Sequence, residues 1–277
     1  MMNYELCLCD MDGTLLNSKD IISKENEAAL KKLQQNGVEV IIASGRVDLM
    51  VKSFIKQLDL KGHVISCNGG LIRNITTGEI IYSKEIAPNL SKMILNYCMD
   101  FNINFLVYTA NMVYSNRNNP RATKFENLNK ILDKDLQLPI GYIDSTSIEI
   151  IDNINVLKIL MVCDDNEQVK LLQNKFSHFA ELTVVSSANC LLDIMAANIS
   201  KGNALKILID KLGISREKVI AFGDNYNDLE MLQYAGMPIA MENSVEEIKK
   251  VGKYITKSND ESGIAYAINN FIFTNKD

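Results

Sequence analysis

Both ends of this chain alternate short apolar runs with amphipathic stretches, and the middle does not. At the start, Tyr4 to Cys9 reads as a buried strand. Ser23 caps a helix running to Asn36 and closed by Gly37, Val38 to Ala43 is a second strand, and Val47 to Leu58 is helical. His63 to Ser66 continues the sheet, and Leu71 to Ile75 with Glu79 to Tyr82 forms a hairpin around Thr76-Thr77-Gly78. The alternation returns with strand Cys190 to Met195, a helix from the Ser200 cap to Leu212 closed by Gly213, and strand Lys218 to Phe222. A helix ending before Gly236, strand Met237 to Met241, a helix opening at Ser244-x-x-Glu247, strand Lys253 to Ile255 and a last helix follow. Helices between strands demand parallel pairing with right-handed crossovers, and the Val- and Ile-rich runs suit a sheet covered on both faces. The expected fold is α/β: a doubly wound, Rossmann-like parallel sheet built from residues 1–83 and 188–277.

Residues 84–187 have a different texture. A helix opens at Pro88, Phe105 to Tyr108 and Met112 to Ser115 form a hairpin around Ala110-Asn111, and strands follow at Val156 to Val162 and Leu182 to Val185. This segment is expected to be an inserted α+β domain.

The formal charge of -5 comes without any block of Lys and Arg, which argues against a nucleic-acid footprint. No stretch approaches the roughly 20 apolar residues of a membrane span, and the apolar run near the start is too short for a signal segment. The six cysteines include no C-x-x-C pair and read as reduced, buried small hydrophobes. A cytoplasmic enzyme is expected, a monomer or small homo-oligomer.

The polar residues fall where such a sheet binds ligands, outside the carboxyl ends of its strands. The first strand runs into Asp10-Met11-Asp12-Gly13-Thr14, the second into Ser44-Gly45-Arg46, and Val219 to Phe222 into Gly223-Asp224-Asn225-Tyr226-Asn227-Asp228. Lys201 follows Ser200 at a helix start, where free N–H groups favour an anion. Two carboxylates about 4 Å apart repel by roughly 4 kcal/mol at an effective dielectric of about 20, so a cation or a proton must compensate them. Carboxylates holding a hard divalent cation, with hydroxyl and ammonium donors beside them, suit phosphoryl transfer. Each signal alone also reads as a turn, a helix cap or a solvated surface group. The set, each member at a strand or helix end, carries the argument.

These residues resemble the motifs of the haloacid dehalogenase superfamily, and more narrowly its Cof-type sugar-phosphatase branch. Asp10-Met11-Asp12-Gly13-Thr14 is similar to the first motif, Ser44 in Ala43-Ser44-Gly45-Arg46 to the second, Lys201 in Ser200-Lys201-Gly202 to the third, and Gly223-Asp224 through Asn227-Asp228 to the fourth. Asn68-Gly69-Gly70 resembles the Asn-Gly-Ala after the third strand, and Asn198 stands where the family often has Gly. The resemblance implies a Mg²⁺-dependent phosphatase acting on small phosphate monoesters, with the insertion as a substrate-selecting cap. It implies that Asp10 is the nucleophile, that Asp12 is the acid and base, and that Ser44 and Lys201 bind the phosphoryl oxygens. Thr14, Gly45, Arg46, Asn68 and Asn227 join Ser44 as substrate contacts. The metal set that the resemblance implies is Asp10, Asp12 (through its main-chain carbonyl), Asp224 and Asp228, with Asn227 and Asp228 fixing waters or Lys201.

Arg46 has a second reading, as partner of a carboxylate such as Asp193. Tyr108, Tyr114, Asn116, Arg117 and Lys158 in the insertion read first as packing or surface residues. Two other functions fit part of the pattern: a sugar phosphomutase on the same core, and a phosphate-responsive switch that keeps its phosphoryl group.

Overall fold

A computed structural model describes residues 3–273, the side chains of Ser187 and Ala188 excepted. The chain runs through β1 (Leu6–Cys9), α1 (Lys24–Gln35), β2 (Glu39–Ala43), α2 (Lys52–Leu58), β3 (His63–Ser66), β4 (Leu71–Asn74) and β5 (Ile80–Ser83). There follow α3 (Pro88–Asp100), β6 (Asn104–Tyr108), β7 (Val113–Ser115), α4 (Pro120–Asn129), β8 (Ile140–Tyr142), β9 (Lys158–Val162), α5 (Asn166–Phe176), β10 (Leu182–Ala188) and β11 (Leu191–Ala196). The last part holds α6 (Lys201–Leu212), β12 (Val219–Gly223), α7 (Leu229–Tyr234), β13 (Met237–Ala240), α8 (Glu246–Val251), β14 (Tyr254–Ile255) and α9 (Gly263–Ala267).

The first unit comprises residues up to Arg46, Ser53–Tyr82 and those from Ser200 onward. Its eight strands lie in the order β14-β13-β12-β1-β2-β3-β4-β5. Every residue of β1 is buried, as befits a strand paired in parallel with β2 on one side and β12 on the other. The pairing is parallel from β14 to β3 and turns antiparallel at β4, so the expected doubly wound sheet ends in the expected hairpin. Strand order reverses at β1, which puts the ligand-binding crevice at its carboxyl end. Ser23 caps α1 by accepting from Asn26 N at 3.2 Å, and Ser200 caps α6 by accepting from Asn203 N at 3.1 Å. Gly213 closes α6 in the left-handed conformation, φ +67°. The expected cap at Ser244 does not form. Its hydroxyl donates instead to Gly223 O at 3.3 Å, tying its loop to the end of β12.

The second unit comprises Val47–Lys52 and Ser83–Ile199, with strands in the order β10-β11-β9-β6-β7-β8. Alternate residues of its strands, among them Phe105, Ile159 and Ile194, pack with Ile94, Leu95, Val169, Leu172 and Phe176 of α3 and α5. The strand expected in the first sheet at Cys190–Met195 is β11 of this one, paired antiparallel with β10 and β9. The boundary therefore moves from 187 to 199, and 47–52 joins the insertion. An apolar run buried on both faces reads alike in either sheet. The turn before it lacks Gly and Pro because Cys190 itself takes the left-handed conformation, φ +59°.

Asn198 is left-handed as well, φ +59°, so asparagine serves where the resemblance expects glycine. Asn116 accepts from Phe105 N at 2.9 Å, and the Arg117 guanidinium lies 5.3 Å from the Tyr142 ring. All six cysteines are free and five are buried. Among the described residues no helix is long and apolar enough to cross a membrane.

Gly69 is a tight joint of the first unit. At φ +101° it follows β3, and a Cβ there would lie 2.3 Å from Ser200 O at the start of α6. Both backbone strain and collision oppose a side chain. Gly69→Ala is expected to cost about 2 kcal/mol or more, seen as a lower urea midpoint at unchanged slope. An unchanged midpoint would show that α6 has room to move.

Candidate active site

Asp10 is the first residue beyond β1 and keeps its backbone in the sheet, donating from N to Phe222 O at 3.1 Å. The chain then folds back on itself: Leu15 N donates to Asp10 O at 3.2 Å and Leu16 N to Met11 O at 2.9 Å. Gly13, at φ +86°, makes this turn possible at a position where a Cβ would lie 2.4 Å from Asp224 Oδ2. The Thr14 hydroxyl donates to Asp224 Oδ1 at 2.7 Å. The turn after β1 is thus pressed onto the carboxylate that ends β12.

Beyond β12 the backbone wraps Asp228, whose Oδ2 accepts from Asp224 N at 3.0 Å and Asn225 N at 3.2 Å. Its Oδ1 accepts from Lys201 Nζ at 2.6 Å, and the same ammonium donates to Asp10 Oδ1. Lys201 and Asp228 are 0% exposed, and Asp10 5%. Carboxylate oxygens of Asp10, Asp224 and Asp228 lie within 4.8 Å of one another. Burial, then the charge of Asp228, push the Asp10 carboxyl well above its ordinary value, and Lys201 offsets this only in part. Asp224 is pushed up to about 6, chiefly by burial. Burial alone would lower Lys201, but Asp10 and Asp228 outweigh it and hold the ammonium above its ordinary value.

The third edge comes from β2 and β3. Ser44 is buried, and its Oγ accepts from Arg46 N at 3.1 Å, leaving the hydroxyl proton to donate. Asn68, left-handed at φ +55°, accepts from Asn227 Nδ2 at 3.2 Å, which bridges the loops after β3 and β12. Gly45 fits beside it, since a Cβ there would lie 2.9 Å from Asn68 Oδ1. Arg46 grips Asp12 with two nitrogens, Nε to Oδ2 at 3.0 Å and Nη2 to Oδ1.

Two sequence expectations are corrected. Arg46 pairs with Asp12 and not with Asp193, which belongs to the second unit and pairs there with Lys158 at 3.2 Å. Thr14, expected among the substrate contacts, is fully buried and spends its hydroxyl on Asp224. Sequence reasoning also passed over Asn243, whose Nδ2 donates to Gly13 O at 2.8 Å. Only its place in the loop after β13 could have flagged it.

A divalent ion fits this donor set. Three buried carboxylates surround one ammonium that pairs with two of them, an excess of two negative charges once all three are ionised, and hard oxygens are what Mg²⁺ takes. Asp228 has both oxygens engaged by Lys201 and backbone N–H groups, so Asp10 and Asp224 are the better placed ligands.

A family model described as haloacid dehalogenase-like hydrolase matches residues 7–268. The chain belongs to that family. A Bacillus subtilis relative, 5-amino-6-(5-phospho-D-ribitylamino)uracil phosphatase YwtE, is 33% identical over 95% of this chain and 96% of its own. Phosphatase YwpJ of the same organism is 32% identical over 97% and 100%. The crystal structure of a haloacid dehalogenase-like hydrolase from Bacteroides thetaiotaomicron, 29% identical, superposes with a TM-score of 0.84 over 96% of this chain and 98% of that one. This haloacid dehalogenase-like protein is a hydrolase of the phosphatase kind.

The raised Asp224 carboxyl makes the metal-free protein pH-sensitive. Because its folded value lies above the ordinary 3.8, its contribution to stability is full below about 4 and is lost as pH rises through about 6. In chelator, Asp224→Asn is expected to melt above the wild type, by a gap that opens between about pH 4 and about pH 6.5 and reaches roughly 3 kcal/mol. Added Mg²⁺ should close the gap by stabilising the wild type. A gap independent of pH would contradict the assignment.

Proposed function

We propose that this phosphatase hydrolyses small phosphate monoesters, sugar phosphates or related metabolites, through a phosphoryl group carried on Asp10. One observation carries the reading: Asp10, at the tip of the central strand, shares a buried cluster with Asp224, Asp228 and Lys201. Lys201 occupies Asp10 Oδ1 and so leaves Oδ2 to attack phosphorus. The P–O bond to the leaving group breaks, and Asp12 gives that oxygen its proton. Asp12 then takes a proton from the water that attacks the aspartyl-phosphate, the bond to Asp10 breaks, and inorganic phosphate leaves. Ser44 and Lys201 hold the phosphoryl oxygens, and Arg46 aims Asp12.

Mg²⁺, when bound, offsets the excess carboxylate charge and that of the phosphoryl oxygens. Asp10, Asp224 and the main-chain carbonyl of Asp12 would hold it, with waters completing the shell. We assign the choice of leaving group to the inserted unit, since segments added to a rigid sheet commonly carry specificity. The name of the YwtE relative puts a phosphorylated ribityl compound first among the substrates to try.

Asp10→Asn is expected to lower Mg²⁺-dependent phosphate release by about 10³-fold or more, with circular dichroism unchanged. Turnover retained by the variant would remove Asp10 as nucleophile. Against a panel of phosphorylated sugars, polyols and nucleotides, kcat/KM is expected to peak on a phosphorylated polyol or sugar. A preference for nucleotides would move the substrate class.

A further inference from the structure

We propose that Asn243 is a positioning residue for the metal-binding turn, its side-chain amide holding the Gly13 carbonyl so that the Asp12–Thr14 segment stays against Asp224. The inference rests on the proposal that Asp10 and Asp224 take Mg²⁺.

The ligands come from two strand ends more than 200 residues apart in sequence, and something must set the distance between them. Gly13 and Thr14 touch Asp224 directly, the first by close approach and the second through its hydroxyl. Asn243 supplies the opposing hold. Its loop is anchored to the strand end that carries Asp224: Met241 N donates to Gly223 O at 3.2 Å, Ser244 Oγ to Gly223 O at 3.3 Å, and Val245 N to Asp224 O at 3.1 Å. From that anchored loop Nδ2 reaches Gly13 O at 2.8 Å. The far side of the amide is engaged too, Oδ1 accepting from Asn259 N at 3.0 Å. Asn259 Nδ2 then donates to Leu16 O at 2.9 Å, and Asp260 accepts from Ser18 N at 2.8 Å. The segment from 243 to 260 thus holds the turn after β1 at Gly13, Leu16 and Ser18.

Both partners of the Asn243 amide are backbone groups of fixed polarity, one an acceptor and one a donor. The amide therefore has a single workable orientation, and a carboxylate of the same shape cannot replace it. One such exposed hydrogen bond adds little net stability. Displacing a ligand-bearing turn by about 1 Å costs far more in rate, about 10²-fold. The effect belongs in metal affinity and kcat more than in melting temperature.

The test compares wild type, Asn243→Asp, Asn243→Ala and Asn259→Ala. Mg²⁺ affinity is measured by calorimetry on the substrate-free protein, kcat and KM with p-nitrophenyl phosphate at saturating Mg²⁺, and melting in chelator. Both Asn243 variants should bind Mg²⁺ about tenfold more weakly and lose about tenfold in kcat, with KM within about twofold. Asn259→Ala keeps its own backbone N–H on Asn243 and should lose about threefold. Asn243→Asp decides the matter by sign, since its added negative charge acting through the field alone would tighten Mg²⁺. Affinity and kcat at wild-type level in that variant would overturn the proposal, as would losses that merely follow the melting temperature. Wild-type protein that takes up no Mg²⁺ would overturn the metal reading and this inference with it.

Discussion

One buried ammonium answers for more negative charge than it can neutralise, and the first unit is arranged around that imbalance. Lys201 stands at the first turn of α6 with no exposure, between Asp10 and Asp228, while Asp224 adds a third carboxylate to the cluster. A lysine goes there only if its helix approaches the strand ends closely. Gly69 admits Ser200 O on one side, and Gly202 admits Glu230 on the other, where a Cβ would lie 2.5 Å from the Glu230 Cβ. Ser200 caps the helix through Asn203 N. Small residues at the helix contacts and a capped first turn are thus what deliver the charge to its place.

The cluster costs stability wherever its charges go unmatched, and it persists because the surrounding backbone over-determines it. Asp228 is held by two backbone N–H groups as well as by Lys201, so it anchors the ammonium without depending on a metal. Asp10 and Asp224 have less of such support and carry the raised values. The difference follows from who has backbone donors: Asp228 is a fixed counter-charge, and in the proposed function the other two are left to accept an outside cation or a phosphoryl group.

Much of this was legible in the sequence because it is local. The βα alternation, the caps at Ser23 and Ser200, the closure at Gly213 and the placing of Asp10, Ser44, Lys201 and Asp224 at strand or helix ends all depend on neighbours within a few positions. What was not legible depends on register between distant loops. Whether Arg46 meets Asp12 or Asp193, and whether Thr14 faces outward or onto Asp224, is set by how three turns pack, 34 and 210 positions apart in the pairs that form. The strand at Leu191–Ala196 failed for another reason. Its composition suits either sheet, and the turn that commits it to β10 is made by Cys190 where a glycine would have announced it.

The sheet order has a consequence for biosynthesis. The central strand, Leu6–Cys9, is made more than 200 residues before its second neighbour, β12, at Val219–Gly223. While the ribosome is still at work, the edge of Leu6–Cys9 that will face β12 lies open, an apolar ribbon with unsatisfied backbone groups of the kind that recruits other chains. Shielding of that edge during synthesis follows from the topology, and a truncated product ending before β12 inherits the exposed edge together with an incomplete acidic cluster.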